Sequence, residues 1–417
     1  MIEASEVARI QGKFNYGMVG GGPDAFIGEI HRAAIRMDNL ASLVAGSFSR
    51  DHQKALRFGE QLGLTSDRVY RSYEEMAKTE ASRPDGIDFV VVVTPNVSHY
   101  AICKVFLLQG IHVVCDKPMT LEYDQAKELA ELAEAKGLLF CVTYTYTGYP
   151  AVKQIHQMIR SGEIGEIRFV SAEYVQEWLA TRSEDDGNRQ AAWRTDPAYS
   201  GKSNCVGDIG SHLENMVSTM TGLEISRLSA RLDTFVPGRR LDDNATIMVE
   251  YDGGAKGIYW TSQIAIGSDN GLRVRIIGSK GTIDWRQEDP DHFRFAMLGQ
   301  PTQIWSRGRE VFGSQAQSYS RLPAGHPEGV YEAFANIYKA YLVALSAIRS
   351  GAWAGSDGYG FPDARQGAQG VRFVDACVDS SNQGAAWVNV ADGSCLPPSI
   401  RPARLIGGGR TVPFAKI

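Results

Sequence analysis

The 417-residue sequence lacks long hydrophobic runs, and this absence bears on where the protein works. Its longest strongly apolar run, Phe89 to Val93, is far too short to span a bilayer. Residues 1–13 mix Glu, Arg and Gln and contain no apolar core of the kind that a signal peptide has. We therefore expect a cytoplasmic protein with no membrane partner.

Paired cysteines and an excess of charge of one sign are also missing. The six cysteines form no C-x-x-C pair, so we expect neither a disulfide framework nor a metal site. A net charge of −5 gives no reason to expect nucleic acid as a partner. The hydrophobic content of 43% and the charged content of 22% are typical of an ordinary globular protein.

The chain is long enough for two domains, because a single hydrophobic core stops growing at a shorter length. Residues 14–147 alternate apolar strands with helical patterns, which predicts a doubly wound parallel sheet. Residues 148–394 contain strand-like runs joined by glycine turns, which predicts an α+β domain with a large open, mostly antiparallel sheet. We also predict long loops over 287–327, a helix near 363–383 that packs back on the first domain, and an extended tail over 395–417.

A glycine cluster follows the first predicted strand, Phe14 to Val19, and precedes a helix. A dinucleotide fingerprint, G-x-G-x-x-G, lets the backbone approach a pyrophosphate at a helix N-terminus. Gly20 and Gly22 match this spacing, whereas the third glycine, Gly28, comes three residues late. The position of the cluster favours a nucleotide-binding loop, and a glycine-rich turn without a ligand is the alternative.

The second predicted strand, Ser42 to Phe48, ends without the acidic residue that would bind the adenosine ribose hydroxyls of NAD. Ser49 and Arg50 stand there instead, and Asp51 follows them. A small donor and a cation tolerate a 2′-phosphate, so the prediction of NAD or NADP leans toward NADP. An Arg50 side chain that lies flat against the adenine is the alternative.

The stretch Val113 to Pro118 is an apolar strand that ends in an acid, a lysine and a proline. In an open parallel sheet, ligands bind outside the carboxyl ends of the strands. We therefore expect Lys117 to lie where a bound nucleotide meets a substrate. A solvated lysine on a loop is the alternative, because most lysines are exposed.

Two further patterns carry polar residues. Thr94-Pro95-Asn96 follows the buried strand before Lys117, and His99 begins the next helix. In the second half, a helix is predicted from near Asp208 to Met220, and His212 lies four residues after Asp208 on the same face. This spacing suits a proton-handling pair, but equally a helix cap and an ordinary histidine, and no third metal ligand is evident.

In this order along the chain, the motifs resemble those of the Gfo/Idh/MocA oxidoreductase family, which includes glucose-fructose oxidoreductase and inositol dehydrogenases. The resemblance covers roughly residues 14–390. It rests on Gly28-x-x-His31, Thr94-Pro95-Asn96-x-x-His99, Asp116-Lys117-Pro118 and Asp208-x-x-x-His212. It implies an N-terminal Rossmann domain and a C-terminal domain whose open sheet usually forms homodimers or homotetramers.

The resemblance also implies roles for individual residues. Lys117, Asp208 and His212 match the family's catalytic groups and would contact the substrate, with Tyr146, Tyr149 and Trp178 as further substrate-binding candidates whose alternative is an ordinary core role. The implied cofactor-binding residues are Gly20, Gly22, Phe26, Ile27, Gly28, Ser49, Arg50, Thr94, Pro95, Asn96, His99, Asp116, Lys117, Trp193 and Arg194.

Three features depart from the family pattern. Asp116 stands where the family usually has glutamate, and the glycine loop is three residues longer than usual. The segment Glu177 to Ser203 is long and rich in Arg, Asp and Trp, so we expect it to shape a substrate pocket particular to this chain.

The resemblance implies an NAD(P)-dependent oxidoreductase that acts on a secondary alcohol of a cyclic sugar, glycoside or inositol-type polyol. Lys117 and His212 would handle the hydroxyl proton. One alternative is an NAD-dependent glycoside hydrolase that oxidises the sugar transiently with a tightly bound cofactor. The other is a non-catalytic nucleotide-binding regulator, against which the presence of Lys117, Asp208 and His212 argues.

Overall fold

The computed structural model describes residue 10 and residues 12–23, 25–352 and 360–390. The predicted tail over 395–417 lies outside the described residues. Within these ranges the strands form two sheets, a parallel one of five strands and a mixed one of nine.

The five-stranded sheet has the order β2-β1-β3-β4-β5 and is parallel throughout. All five residues of its middle strand are buried, as expected for an apolar run that is covered by helices on both faces. Its strands are β1 (Phe14–Gly20), β2 (Ala41–Ser47), β3 (Phe89–Val93), β4 (His112–Cys115) and β5 (Phe140–Val142). Its helices are α1 (Phe26–Met37), α2 (His52–Gln61), α3 (Tyr73–Ser82), α4 (His99–Leu108) and α5 (Tyr123–Ala135).

The strand order reverses between β1 and β3, which are hydrogen-bonded neighbours. The chain leaves β1 toward β2 on one side and returns to continue with β3 on the other. Loops that follow the two strands therefore diverge, and this divergence opens the crevice in which doubly wound sheets bind nucleotides. Gly20 pairs with Val93, so the glycine cluster and Thr94 lie at the same edge.

The nine-stranded sheet has the order β13-β12-β11-β10-β6-β9-β8-β7-β14. Among the described strands, β6 and β9 form its one parallel pair. Its strands are β6 (Ile167–Val175), β7 (Ile225–Asp233), β8 (Asn244–Tyr251), β9 (Lys256–Ser262), β10 (Gly271–Gly278), β11 (Gly281–Arg286), β12 (His292–Met297), β13 (Gln303–Ser306) and β14 (Val388–Asn389). The two sheets confirm the predicted fold class.

Seven further helices accompany this sheet within the described residues. They are α6 (Pro150–Arg160), α7 (Arg189–Arg194), α8 (Pro197–Ser200), α9 (Ser211–Thr221), α10 (Ser314–Ser318), α11 (Val330–Arg349) and α12 (Ala364–Asn382). α12 packs on β7 and also on α5 of the first half, while α11 packs on α1. α12 thus contacts elements of both halves, and α11 belongs to the apolar core around the parallel sheet. No helix in the described ranges combines the length and apolarity needed to cross a bilayer.

The prediction of long loops over 287–327 is wrong. β12, β13 and the short α10 lie there, and β12 pairs with β11. Phe293 and Phe295 are buried while Arg294 is exposed, which is the alternation of a strand with one buried face. The high content of Gly, Pro, Gln and Ser in this segment hid that short alternation.

The helix predicted from near Asp208 begins later, because Val206–Gly210 forms a π-helical turn and α9 starts at Ser211. The Asp242 carboxylate accepts hydrogen bonds from the backbone N–H groups of Asn204 (2.9 Å) and Val206 (3.0 Å). These bonds hold the wider turn from its N-terminal side. Single π-helical turns occur frequently at functional sites.

Candidate active site

The glycine cluster brings backbone against backbone at the crevice. Gly20 and Gly21 have positive φ angles of 84° and 65°, a conformation that glycine adopts without strain. A Cβ atom on Gly28 would lie 2.4 Å from the Cα atom of Gly21. The late third glycine therefore permits the first turn of α1 to lie directly against the loop.

The start of α1 suits a pyrophosphate. Its N-cap residue is Ala25, which has no side-chain oxygen to bond the first N–H groups of the helix, so among the described residues no side-chain cap competes with an anion for these donors. Phe26 is 72% exposed and Ile27 is partly buried at the same turn. The closely approaching backbone and the uncapped helix start fit a dinucleotide.

Ser49 and Arg50 follow β2, as the sequence places them. The Asp51 carboxylate caps α2 by accepting from the N–H groups of Gln53 (3.0 Å) and Lys54 (3.1 Å). Ser49 Oγ accepts from the N–H of Asp51 (3.1 Å), and Arg50 is exposed. The acid nearest to this strand end is thus engaged in a cap, while Arg50 is free to approach a ribose.

Thr94, Pro95 and Asn96 lie at the carboxyl end of β3, where Asn96–Ser98 forms a single 3-10 turn. His99 is fully buried behind them. Its ring nitrogens lie 2.8 Å from the carbonyl oxygen of Thr94 and 2.9 Å from that of Pro118. The structure therefore places His99 as a link between the loops after β3 and β4.

Asp116 and Lys117 follow β4 at the same edge. Asp116 Oδ1 accepts from the N–H of Lys117 (2.9 Å) and from the hydroxyl of Thr143 (3.0 Å), which follows β5. These two bonds fix the backbone from which the lysine side chain leaves the parallel sheet.

Lys117 reaches across to the second half of the chain. Its Nζ lies 2.6 Å from Asp208 Oδ1 and 2.8 Å from the Asp208 carbonyl oxygen. The other carboxylate oxygen, Oδ2, accepts from Arg194 Nε (3.2 Å) and Gln263 Nε2 (3.0 Å). Burial alone would raise the pKa of Asp208, but the charges of Lys117 and Arg194 hold it well below its usual range. Asp208 is therefore an ionised group that binds two cations.

His212 lies on α9 among aromatic rings. Its ring centroid is 5.0 Å from that of Tyr146, 5.5 Å from that of Tyr144 and 6.3 Å from that of Tyr174. Burial and the nearby Lys117 charge lower the pKa of His212 well below its usual value, although Asp208 opposes the shift. A neutral imidazole has an acceptor nitrogen, so His212 can accept from a hydroxyl group, and the lowered pKa means that it would hold a transferred proton less tightly than an ordinary histidine.

The long segment after β6 supplies Trp178, Trp193 and Arg194. The Arg194 guanidinium lies over the Trp193 ring at 4.2 Å and over the Trp178 ring at 5.7 Å. Together with its bond to Asp208, these contacts place Arg194 at the boundary between the two halves. A small cleft there is lined by Asn96, Trp193, Arg194, Ser200, Ser203, Asn204, Gly207 and Asp208.

The sequence did not identify Gln263, Asn204 or Asp242 as site residues. Gln263 is fully buried, donates to Asp208 and accepts from Asn204 Nδ2 (2.8 Å). Asp242 bonds the backbone on both sides of Cys205, as described above. The three residues support Asp208 from behind. No local motif marks them, because their partners are distant in sequence.

Tyr146 and Tyr149 stack 6.4 Å apart at an interplanar angle of 7°. The Tyr146 hydroxyl lies 2.7 Å from the Tyr174 hydroxyl, and the Tyr149 hydroxyl accepts from Gln287 Nε2 (3.4 Å). Tyr146 is the closer of the pair to His212. Within the described residues, no three His, Cys, Asp or Glu side chains are grouped as metal ligands.

Comparison with known proteins assigns both halves of the chain. Residues 14–144 match the model of an oxidoreductase family with an NAD-binding Rossmann fold. Residues 152–284 match the model of the GFO/IDH/MocA C-terminal domain. The chain is 38% identical over 379 residues to an uncharacterized oxidoreductase, YfiI, of Bacillus subtilis, which covers 89% of this chain and 96% of that relative.

Two other similar proteins are a named dehydrogenase and a homolog of one. A levoglucosan dehydrogenase of Pseudarthrobacter phenanthrenivorans is 28% identical over 335 residues, or 74% of this chain and 80% of that relative. The crystal structure of an inositol dehydrogenase homolog complexed with NAD+, from Azotobacter vinelandii, superposes with a TM-score of 0.88 at 39% identity. That match covers 91% of this chain and 98% of the other.

Proposed function

This chain belongs to the GFO/IDH/MocA family of oxidoreductases, and on that premise we propose that it oxidises a secondary alcohol on a cyclic sugar or polyol, or reduces the corresponding ketone. One observation carries the proposal. Lys117, at the carboxyl end of β4, is bonded to Asp208 at 2.6 Å, and His212 follows Asp208 by one helical turn. A proton-handling group thus lies at the edge of the sheet where a dinucleotide binds.

Oxidation of an alcohol removes a hydride from carbon and a proton from oxygen. Bound nicotinamide supplies the hydride acceptor. We assign the proton to the chain's own groups: Lys117 Nζ donates to the alcohol oxygen, and a ring nitrogen of neutral His212 accepts the hydroxyl proton. Asp208 orients Lys117 and Arg194, because both of its carboxylate oxygens already accept hydrogen bonds.

The same premise assigns the cofactor contacts. Backbone at Gly20, Gly22 and Gly28, with Phe26 and Ile27 beside it, would hold the pyrophosphate. Thr94, Pro95, Asn96, Asp116, Trp193 and Arg194 would surround the nicotinamide half. We propose that NAD is used, and that exposed Arg50 also admits the 2′-phosphate of NADP, because the nearby Asp51 carboxylate is already engaged in capping α2.

We propose a homodimer or homotetramer that is formed through the outer face of the nine-stranded sheet. Phe169, Met248, Ile258 and Trp260 are 38–47% exposed. Their strand pairings put all four on one face. Ile258 lies directly opposite Met248 on one side and Ser171 on the other, and directly opposed residues share a face. Phe169 and Trp260 lie two residues from Ser171 and Ile258, so they lie on that face too. The Trp260→Glu variant should have a smaller mass than the wild type in light scattering if this face is the interface, and an unchanged mass would exclude this face as the interface.

A spectroscopic screen tests the proposed reaction. Inositols, pyranoses and simple glycosides are each mixed with the protein and with NAD or NADP, and the reduced nicotinamide is followed. We expect a signal that requires one class of ring alcohol. A glycoside that is cleaved without added nucleotide and without net reduction would favour the closed-cycle hydrolase. Nucleotide binding with neither reaction would favour the regulator.

A further inference from the structure

Four carboxamide side chains lie at one end of the nine-stranded sheet. Gln176 follows β6, Gln263 lies just after β9, Asn270 precedes β10 and Gln287 follows β11. The pairings of Val175 with both Gly271 and Ser262, and of Arg273 with Arg286, place these four positions at the same end. We call these four residues the amide edge.

Asn270 joins three of the four amides. Its Oδ1 accepts from the Tyr174 hydroxyl (2.7 Å) and from Gln176 Nε2 (2.8 Å). Its Nδ2 donates to Gln287 Oε1 (3.1 Å) and to the Tyr146 hydroxyl (3.4 Å). These bonds use both acceptor sites and both donor hydrogens of the amide, so the orientation of Asn270 is set.

Side-chain contacts link the amide edge to two of the proposed catalytic residues, His212 and Asp208. Tyr146 lies against the His212 ring, and Gln263 donates to Asp208. Gln176 Oε1 accepts from Trp178 Nε1 (3.0 Å), and Trp178 lies over Arg194, which also binds Asp208. A ring compound whose hydroxyl reaches Lys117 and His212 would therefore lie beside Tyr146 and beside Gln176 and Gln287, the two amides that Asn270 holds, while Gln263 stays buried behind Asp208.

The charges around the amide edge do not suit an anionic substituent. In the part of the chain that the structure describes, the cations joined to this cluster are Lys117 and Arg194, and Asp208 pairs with both. The carboxylates lie at the rim: exposed Glu177 accepts from Gly267 N–H (2.6 Å) and exposed Glu288 from Asn270 N–H (3.1 Å). A phosphate or carboxylate would lose water here without gaining an unpaired cation.

We propose that the amide edge selects an uncharged polyhydroxylated ring and rejects its phosphorylated and carboxylated counterparts, with Asn270 as the residue that positions the edge. The bonds described above use one donor hydrogen and one acceptor site on each of Gln176 and Gln287, so both amides can still donate to and accept from the hydroxyls of one ring. The inference rests on the proposed dehydrogenase function and names the substrate class of the same site.

Matched substrates test the discrimination. The values of kcat/KM are measured for myo-inositol against its monophosphate, and for glucose against glucose 6-phosphate and glucuronate. We expect kcat/KM for the neutral ring to exceed that for its anionic counterpart by at least about 100-fold. Sites built from hydrogen-bonding groups reach such ratios when a substrate leaves those groups unpaired. An anionic ring that is used as well as its neutral counterpart would overturn the inference and leave the dehydrogenase function standing.

Binding calorimetry with the reduced cofactor present separates the two proposals, because it needs no turnover. The same pairs of compounds are titrated into the protein. If no alcohol is oxidised but neutral rings bind, the proposed reaction fails and the inference holds. If anionic rings bind more tightly, or if no ring binds, the inference fails.

A charge-swap variant tests the amide edge itself. Gln287→Lys puts a cation beside Asn270 and should improve the use of anionic rings relative to neutral ones by about 10-fold. Exposed Gln300→Lys adds the same charge in a surface turn and is the matched control. Equal ratios in the two variants would contradict the inference.

Asn270→Asp tests the positioning role. The change keeps the shape of the side chain but replaces the two donor hydrogens with an acceptor that faces Gln287 Oε1 and the Tyr146 hydroxyl. We expect KM for a neutral ring to rise about 10-fold, with kcat and cofactor affinity nearly unchanged. Exposed Asn389→Asp is the control. A parallel loss of cofactor binding would assign Asn270 a merely structural role and overturn this part of the inference.

Discussion

The two sides of the proposed active site are built from different parts of the polypeptide. On the cofactor side, the glycine loop and the start of α1 offer main-chain groups, and the close approach of Gly21 and Gly28 allows them to do so. On the substrate side, the contacts are between side chains, such as Lys117 with Asp208 and Asp208 with Gln263. The cofactor side should therefore be sensitive to added atoms, and the substrate side to lost functional groups.

The largest expected effect comes from removing the lysine on the substrate side. Lys117→Met keeps much of the side-chain volume but loses the donor that Asp208 orients. We expect kcat to fall about 10³-fold, within the range of general acid–base contributions, while the dissociation constant of NAD stays within about a factor of three. Steady-state kinetics and calorimetry measure the two quantities, with surface Lys104→Met as control. Near-wild-type turnover would remove Lys117 from the mechanism.

On the cofactor side, the addition of one methyl group should be enough to weaken NAD binding. Gly28→Ala puts a Cβ atom 2.4 Å from Gly21 Cα, so the loop and α1 must separate. We expect the dissociation constant of NAD to rise about 30-fold, equivalent to roughly 2 kcal/mol. In Gly329→Ala the new Cβ meets Glu332 at an ordinary 3.6 Å, and binding should not change. Equal affinities in both variants would show that the backbone contact is not needed.

A smaller effect should follow when the support behind Asp208 is removed. Gln263→Leu deletes the donor to Asp208 Oδ2 and leaves Lys117 and Arg194 in place. We expect kcat/KM to fall about 10-fold, because a hydrogen bond to a charged group contributes roughly 1.5–3 kcal/mol, and cofactor affinity to stay constant. Exposed Gln383→Leu should match the wild type. A change in cofactor affinity with kcat/KM otherwise unaffected would contradict the assignment of Gln263 to the substrate side.

The smallest effect concerns a second buried carboxyl group near the substrate side. Burial, with a lesser contribution from Glu224, raises the pKa of Glu214 to about 8. The folded state prefers the neutral acid, so its stabilisation is present below the unfolded pKa and is lost as pH rises through about 8. Glu214→Gln should therefore raise Tm by a few degrees at pH 9 and by less at pH 6. Exposed Glu131→Gln is the control, and an equal gain at both pH values would contradict the assignment.

The strand and the helix on either side of the glycine cluster could be predicted from the sequence because their determinants are local. The strand, the glycine cluster and the helix lie within 14–37. The strand β3 could be predicted because all five of its residues are apolar. The sequence alone could not explain the late position of Gly28, since its reason is a contact with Gly21 that requires the folded loop.

The substrate side was predictable only in part. Lys117, Asp208 and His212 were proposed from the resemblance, but the sequence could not show that Lys117 contacts Asp208, which lies 91 residues away. The hydrogen bonds of Gln263 and Asn270 could not be anticipated, because single amides at strand ends carry no motif and their partners lie 55 and up to 124 residues away. β12 and β13 were missed for another reason, since polar turn residues around them concealed a short alternating pattern.

The most direct test of the central claim is the fate of the hydrogen on the oxidised carbon. A neutral ring alcohol that is deuterated at that carbon is mixed with the protein and NAD, and the reduced nicotinamide is analysed by mass spectrometry. The account predicts that free reduced nicotinamide accumulates with one deuterium per turnover, and that Lys117→Met forms almost none although it binds NAD. Product without labelled free nicotinamide would contradict net alcohol oxidation at this site.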